Sequence, residues 1–104
     1  MSRVTIRVYA EPFIEGMPSQ ELSFQDKDEI TIGRAPTCDV VLQGDLVSRV
    51  HARIAVRPGR VILTDTSENG VFIRGRRLTS PVVLREPIPV EIATFRLEIE
   101  LAAD

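Results

Sequence analysis

Apolar and polar residues alternate with a period of two along much of the chain. The alternation is clearest in residues 3–9 and 94–101, where every second side chain is valine, isoleucine, leucine or phenylalanine. Successive side chains of a β-strand point to opposite faces of the sheet, so this period places one face of each segment in a core. Both segments are therefore predicted to be half-buried strands near the ends of the chain.

Shorter β-rich runs fill the sequence between these strands, and clusters of turn residues at 16–19, 57–59 and 69–70 separate them. No stretch keeps the apolar spacing of an α-helix for three turns, and seven prolines are scattered along the chain. The pattern predicts an all-β sandwich or barrel of about ten short strands. The internal strands are expected at 21–24, 29–32, 39–42, 50–56, 60–64, 71–73, 81–84 and 88–92.

The composition limits the size of the protein and its partners. With 104 residues and 11.6 kDa, the chain is expected to form a single domain over residues 1–104. Its start at Met1 is compatible with the amino-terminal module of a longer protein. The formal net charge of −2 supplies no basic field for nucleic acid. One tyrosine and four phenylalanines offer few stacking surfaces for single strands.

Other residue counts bear on compartment and chemistry. The single cysteine, Cys38, excludes an internal disulfide, and no apolar run is long enough to cross a membrane. The amino end shows no signal segment, so a cytoplasmic location is expected. All but one of the 13 basic residues are arginines. Recognition of a phosphate or carboxylate would therefore rest on planar, bidentate guanidinium groups.

Three polar segments interrupt the strand pattern at predicted turns: Gly33-Arg34, Ser48-Arg49-Val50-His51 and Asn69-Gly70. Taken singly, each has an ordinary structural explanation. An Asn-Gly pair between two strands indicates a type I′ hairpin. Serine hydroxyls commonly bond to loop backbone, and a lone histidine at the start of a strand is most often structural.

Together, in this order and with these gaps, the three segments resemble the signature of the forkhead-associated (FHA) domain. The flanking runs 39–42 and 63–66 agree, and the resemblance extends from about Ile30 to Leu78. It implies a twisted, antiparallel β-sandwich of two sheets, with ten or eleven strands and recognition loops at one end. It also implies a non-catalytic domain without a cofactor, which binds phosphothreonine in peptides marked by an upstream Ser/Thr kinase.

The resemblance also assigns roles to residues of this chain. The expected phosphopeptide ligands are Arg34, Ser48, Arg49 and Asn69. Arg34 would clamp the phosphate with its guanidinium fork, and Asn69 would hold the peptide backbone. Gly33, His51 and Gly70 are expected to shape the loops, with His51 as a brace between them.

The chain departs from the family pattern at two positions that bear on specificity. Glu68 stands where a small polar residue often helps to hold phosphate, and Arg74 where a second asparagine is common. A carboxylate beside a dianion is repulsive. Glu68 must therefore point away, pair with Arg49 or Arg74, or weaken phosphate binding. Both residues are expected to influence peptide preference.

The same residues also bear on other functions. An enzyme would recruit Ser48, His51 and Asp65, but the chain has no nucleophile-elbow glycine pattern. One histidine and one cysteine do not supply a metal-ligand set. The second interpretation that stays open is a phosphate-independent interaction or self-association module with a degenerate phosphate site. The sequence leaves the oligomeric state undetermined.

Overall fold

The computed structural model describes residues 2–103, which form eleven strands and no helix. The strands are β1 (Ser2–Tyr9), β2 (Gln20–Gln25), β3 (Glu29–Gly33), β4 (Val40–Val41), β5 (Ala52–Arg57), β6 (Arg60–Asp65), β7 (Val71–Ile73), β8 (Arg76–Arg77), β9 (Val82–Leu84), β10 (Val90–Ile92) and β11 (Phe95–Ala103). In this part of the chain no helix is long and apolar enough to cross a membrane.

The strands form two sheets. One has six strands in the order β2-β1-β11-β10-β7-β8, and the other has five in the order β4-β3-β5-β6-β9. Every neighbouring pair is antiparallel except β3 and β4, which run parallel. The predicted all-β sandwich is confirmed, and the sheets do not close into a barrel. Each predicted strand is present, β7 with the predicted bounds and the others shorter or longer, whereas β8 was not predicted.

The core follows from the period-two pattern. Alternate residues of the strands point between the sheets, and those of β1 are 0–1% exposed at Val4, Ile6 and Val8. Burying one such aliphatic side chain contributes about 1.5–3 kcal/mol. Further fully buried residues from both sheets are Ile30, Ile32, Ile54, Leu63, Ile92, Leu97 and Ile99. His51 is the one buried polar residue among the positions whose burial is described.

The register places the three polar segments at one end of the sandwich. Ile32 lies opposite Ala52, and Ala52 lies opposite Asp65, so β3, β5 and β6 reach the same end of their sheet. In the other sheet, Val71 lies opposite Ile92 near the same end. The loops that meet there are 34–39, 42–51 and 66–70. Ser2 and Ala103, the ends of the described chain, pair with each other and lie at the opposite end, beside the β5–β6 turn.

The type I′ hairpin that Asn69-Gly70 would indicate on its own is not formed. This pair connects β6 of one sheet to β7 of the other, and only Gly70 has a positive φ, 102°. A two-residue hairpin occurs instead at Arg74-Gly75, between β7 and β8, where both φ values are positive, 53° and 78°. That pattern is typical of a type I′ turn.

Candidate functional site

Gly33 ends β3 against the backbone of the next loop. A Cβ at this position would overlap the carbonyl group of Arg49, so only glycine allows so close an approach. The next two amides continue the contact: Arg34 N donates to Ser48 O at 2.9 Å and Ala35 N donates to Arg49 O at 3.1 Å. These bonds hold the Arg34 loop beside the Ser48–Arg49 loop.

The Arg34 side chain is anchored at one nitrogen and open at the others. Its Nε donates to the carbonyl of Val47 at 3.0 Å. The side chain is exposed, and within residues 2–103 its two terminal amino groups have no hydrogen-bond or ion-pair partner. The guanidinium is thus fixed in position with its outer N–H groups available to a bidentate acceptor.

His51 lies beneath the loops with a fully buried imidazole. The backbone N–H of Ser48 donates to Nδ1 at 3.0 Å. A ring nitrogen that accepts carries no proton, so the neutral ring is protonated at Nε2. Nε2 therefore donates to the carbonyl of Gly70, 2.8 Å away. One side chain thus joins the loop before β5 to the loop before β7.

Within residues 2–103, the hydroxyl of Ser48 accepts one hydrogen bond and donates none. Its Oγ accepts the backbone N–H of Glu68 at 3.1 Å. That bond uses a lone pair and leaves the hydroxyl proton free to donate. Ser48 is only partly buried, so this proton can be directed to a ligand at the surface.

Asp65 organises the 66–70 loop from its base. Its carboxylate accepts the N–H and the hydroxyl of Ser67, at 2.8 and 2.6 Å, and the N–H of Val71 at 3.1 Å. Ser67 Oγ in turn accepts the N–H of Gly70 at 2.7 Å. Burial alone raises the pKa of the Asp65 carboxyl. The bonds from Ser67 and Val71 and the nearby charge of Arg77 outweigh it, and the pKa lies below its usual value.

Asn69 and Arg49 complete the surface. Asn69 Nδ2 donates to the carbonyl of Leu46 at 3.1 Å, which ties the two loops together above His51. Its Oδ1 has no partner among the described residues and can accept a hydrogen bond from a ligand. The Arg49 side chain is exposed, and within residues 2–103 it makes no ion pair.

These side chains surround an open cleft of about 530 Å³. The predicted site residues that line it are Arg34, Ser48, Arg49, Glu68 and Asn69. Gly33, His51 and Gly70 make the supporting contacts beneath, whereas Arg74 lies away from the cleft in the β7–β8 turn. Glu68 forms no ion pair with Arg49 or Arg74 in the described part of the chain, so of the three alternatives for Glu68 this pairing is not observed.

The sequence profile described as "FHA domain" matches residues 30–92, more than half of the chain. The chain belongs to the FHA domain family. FHA domains are binding modules, and the cleft lies at the end of the sandwich where the predicted recognition loops meet.

Solved FHA structures share the fold. The FHA domain of CT664 from Chlamydia trachomatis is 25% identical, with a TM-score of 0.79 over 93% of this chain and 95% of that one. FHA-1 of Mycobacterium tuberculosis Rv1747 is 24% identical, with a TM-score of 0.75 over 96% and 98%. Mycobacterium tuberculosis EmbR, in complex with a low affinity phosphopeptide, is 25% identical, with a TM-score of 0.76 over 96% and 25%. No curated protein sequence matches the chain significantly.

The hydrogen bonds of this FHA domain do not assemble a catalytic triad. The two ring nitrogens of His51 face the Ser48 amide and the Gly70 carbonyl rather than the Ser48 hydroxyl. Asp65 bonds to Ser67 and Val71 and does not orient the imidazole. Among residues 2–103 no three His, Cys, Asp or Glu side chains are grouped to hold a metal ion.

Several supporting residues of the FHA domain were missed by the sequence analysis. Asp65 is one of them. Its carboxylate accepts the N–H of Ser67, two residues further on, which is an Asx turn. Aspartate favours this turn, so the sequence did contain a signal for it. Arg77 had no such signal. It reaches the carbonyl of Glu68 at 3.1 Å only because β8 folds back beside β7.

Proposed function

We propose that this FHA domain binds peptides that contain phosphothreonine and recruits its parent protein to partners marked by a Ser/Thr kinase. The observation that carries the proposal is the pairing of Arg34 and Ser48 at the cleft. Within the described residues 2–103, the terminal N–H groups of the guanidinium and the proton of the Ser48 hydroxyl have no partner. The phosphopeptide complex of the related EmbR supports the same class of ligand.

The chemistry of phosphate fits these donors. A phosphothreonine carries about −1.5 to −2 charges at pH 7 and three strong acceptor oxygens. Arg34 can bond two oxygens with its planar fork, and the Ser48 hydroxyl can donate to the third. Arg49, which lines the same cleft, adds a second positive charge. Asn69 Oδ1 can accept an N–H of the peptide backbone, which would fix the direction of the ligand.

Fluorescence polarisation with degenerate peptide pools tests the proposal. Phosphothreonine, phosphoserine and unphosphorylated pools are compared on the parent domain and on two arginine variants. Arg34→Ala removes the proposed clamp, and Arg85→Ala removes the same charge from the exposed loop after β9, away from the cleft. Thermal melting checks that each variant is folded.

We expect micromolar binding of the phosphothreonine pool. Truncating one partner of a desolvated charged pair costs about 2–5 kcal/mol, so Arg34→Ala should lose most of the affinity. Arg85→Ala should bind within about threefold of the parent. An Arg34→Ala domain that also stays within threefold would show that Arg34 is not the clamp. Partner binding that survives phosphatase treatment would favour the phosphate-independent module instead.

A further inference from the structure

The cleft contains acidic residues as well as its two exposed arginines. Asp45 and Glu68 line it together with Arg34 and Arg49, and both acidic side chains are exposed. Within residues 2–103, neither carboxylate has a basic side chain within the 4.0 Å that defines an ion pair. The cleft is therefore zwitterionic: among residues 2–103, its two arginines and two carboxylates make no ion pair.

Two arginines near the cleft bond to other groups. Arg77 donates to the backbone carbonyl of Glu68 at 3.1 Å and lies 3.8 Å from the Asp65 carboxylate, so its charge is directed beneath the loop. Arg34 is fixed to Val47 O through Nε. The carboxylates of Asp45 and Glu68 thus remain available to charges that a ligand brings.

Because of these carboxylates, binding should depend on the charge that the ligand carries next to its phosphate. A phosphate alone would be attracted by the arginines and repelled by Glu68, because like charges at close range are unfavourable. A ligand that also carries a cation next to the phosphate would turn the repulsion into an ion pair. An acidic neighbour would add a second repulsion.

We infer that the preferred ligand is a phosphothreonine peptide with an arginine or lysine close to the phosphorylated residue. This inference rests on the proposed function and assigns Asp45 and Glu68 as specificity-determining residues. The phosphate binds at Arg34 and Ser48, and the basic side chain of the peptide pairs with the free carboxylates on the same rim.

The test uses phosphothreonine pools in which one flanking position at a time is fixed as arginine, glutamine or glutamate. At one or more positions we expect the arginine pool to bind about two- to fivefold more tightly than the glutamine pool, the range that an exposed ion pair supplies. The glutamate pool should bind more weakly than either. The preference should shrink as salt is raised.

Four single variants test which carboxylate sets the preference. Glu68→Gln and Asp45→Asn should each reduce it. Glu86→Gln should keep it, because Glu86 makes the same charge change in the loop after β9, at the other end of the sandwich. Glu68→Thr should bind peptides without a basic residue more tightly than the parent does.

The possible outcomes distinguish a failure of this inference from a failure of the proposed function. Phosphate-dependent binding without an arginine preference would overturn the inference and leave the proposed function intact. A preference that persists in both Glu68→Gln and Asp45→Asn would do the same. Absence of phosphate-dependent binding to every pool would overturn both.

Discussion

The imidazole of His51 shows how much of the candidate site depends on one buried residue. It is fully buried, and each ring nitrogen makes a hydrogen bond to a different loop. Those bonds satisfy the amide of Ser48 and the carbonyl of Gly70. A buried backbone group left without a partner costs about 1–3 kcal/mol, so both loops depend on this ring.

Replacing His51 with alanine should therefore destabilise the fold. We expect a loss of about 2–5 kcal/mol in the free energy of unfolding, from two unpaired backbone groups and a cavity. Arg53→Ala, two residues further along the chain in β5, removes only an exposed ion pair with Glu29 and should cost less than about 1 kcal/mol. Urea denaturation measures both. A loss below 1 kcal/mol for His51→Ala would contradict the assigned role.

Asp65 makes part of the stability depend on pH. Its pKa in the folded protein lies below the ordinary value of 3.8, so the carboxylate favours folding at pH values above 3.8. That contribution is lost as the pH falls through the lower, folded pKa. Unfolding free energies between pH 7 and pH 2.5 should decrease more steeply for the parent than for Asp65→Asn. Asp28→Asn, at an exposed position, serves as the control. Parallel curves for parent and Asp65→Asn would contradict the prediction.

At the residue scale, the family resemblance predicted which side chains gather at the cleft, and five of them do line it. Their partners were not predictable from the sequence. Glu68 N bonds to Ser48 Oγ across 20 positions, and Asn69 bonds to Leu46 across 23. Such contacts follow no sequence period, because they exist only once the strands bring the loop ends together.

At the scale of the elements, the end of β3 sets the spacing between two loops. Gly33 lies so close to Arg49 that a Cβ would overlap its carbonyl. Gly44, in the 42–51 loop, would place a Cβ at 3.5 Å from Val47, an ordinary contact. The two glycines therefore differ in packing, although both stand near the cleft.

Gly33→Ala should push the Arg34 loop away from the Ser48–Arg49 loop. Overpacking typically costs about 1–3 kcal/mol, and we expect a loss of stability in this range. Phosphopeptide affinity should fall with it, because the guanidinium and the hydroxyl would no longer converge. Gly44→Ala should change the unfolding free energy by less than about 0.5 kcal/mol. Equal stabilities of the two variants would show that the loop spacing is not set by Gly33.

The elements also show where local sequence signals stop being sufficient. Long alternating segments were predicted because a period of two repeats over several residues. β8 was missed because it consists of Arg76 and Arg77 and has no apolar residue that could alternate with a polar one. Taken alone, Asn69-Gly70 indicates a hairpin that the protein does not form. A dipeptide reports only local backbone preference, whereas distant pairings decide that its flanking strands belong to different sheets.

At the scale of the whole molecule, the chain ends and the cleft occupy opposite ends of the sandwich. Ser2 lies opposite Ala103, so the two ends are neighbours. They lie near the β5–β6 turn, which contains the exposed residues Pro58 and Gly59. A short linker can therefore join the ends without crossing the loops that surround the cleft.

Circular permutation tests this arrangement. A permutant with joined ends and a new start at Gly59 should fold and bind the phosphothreonine pool within about threefold of the parent, because exposed turns tolerate new termini. A permutant opened between Glu68 and Asn69 should lose more than tenfold, because the loop that carries both residues is no longer closed. Equal binding by the two permutants would show that the 66–70 loop does not hold the ligand.

The side-by-side ends also decide how the domain responds to mechanical load. β1 and β11 are antiparallel neighbours with eight register pairs, from Ser2–Ala103 to Tyr9–Arg96. A force that pulls the two ends apart acts on the outermost pair first and breaks the ladder one pair at a time. It does not load all eight pairs together, as a shearing geometry would. Tension applied through the ends should therefore unzip these strands at low force, starting at the end farthest from the cleft.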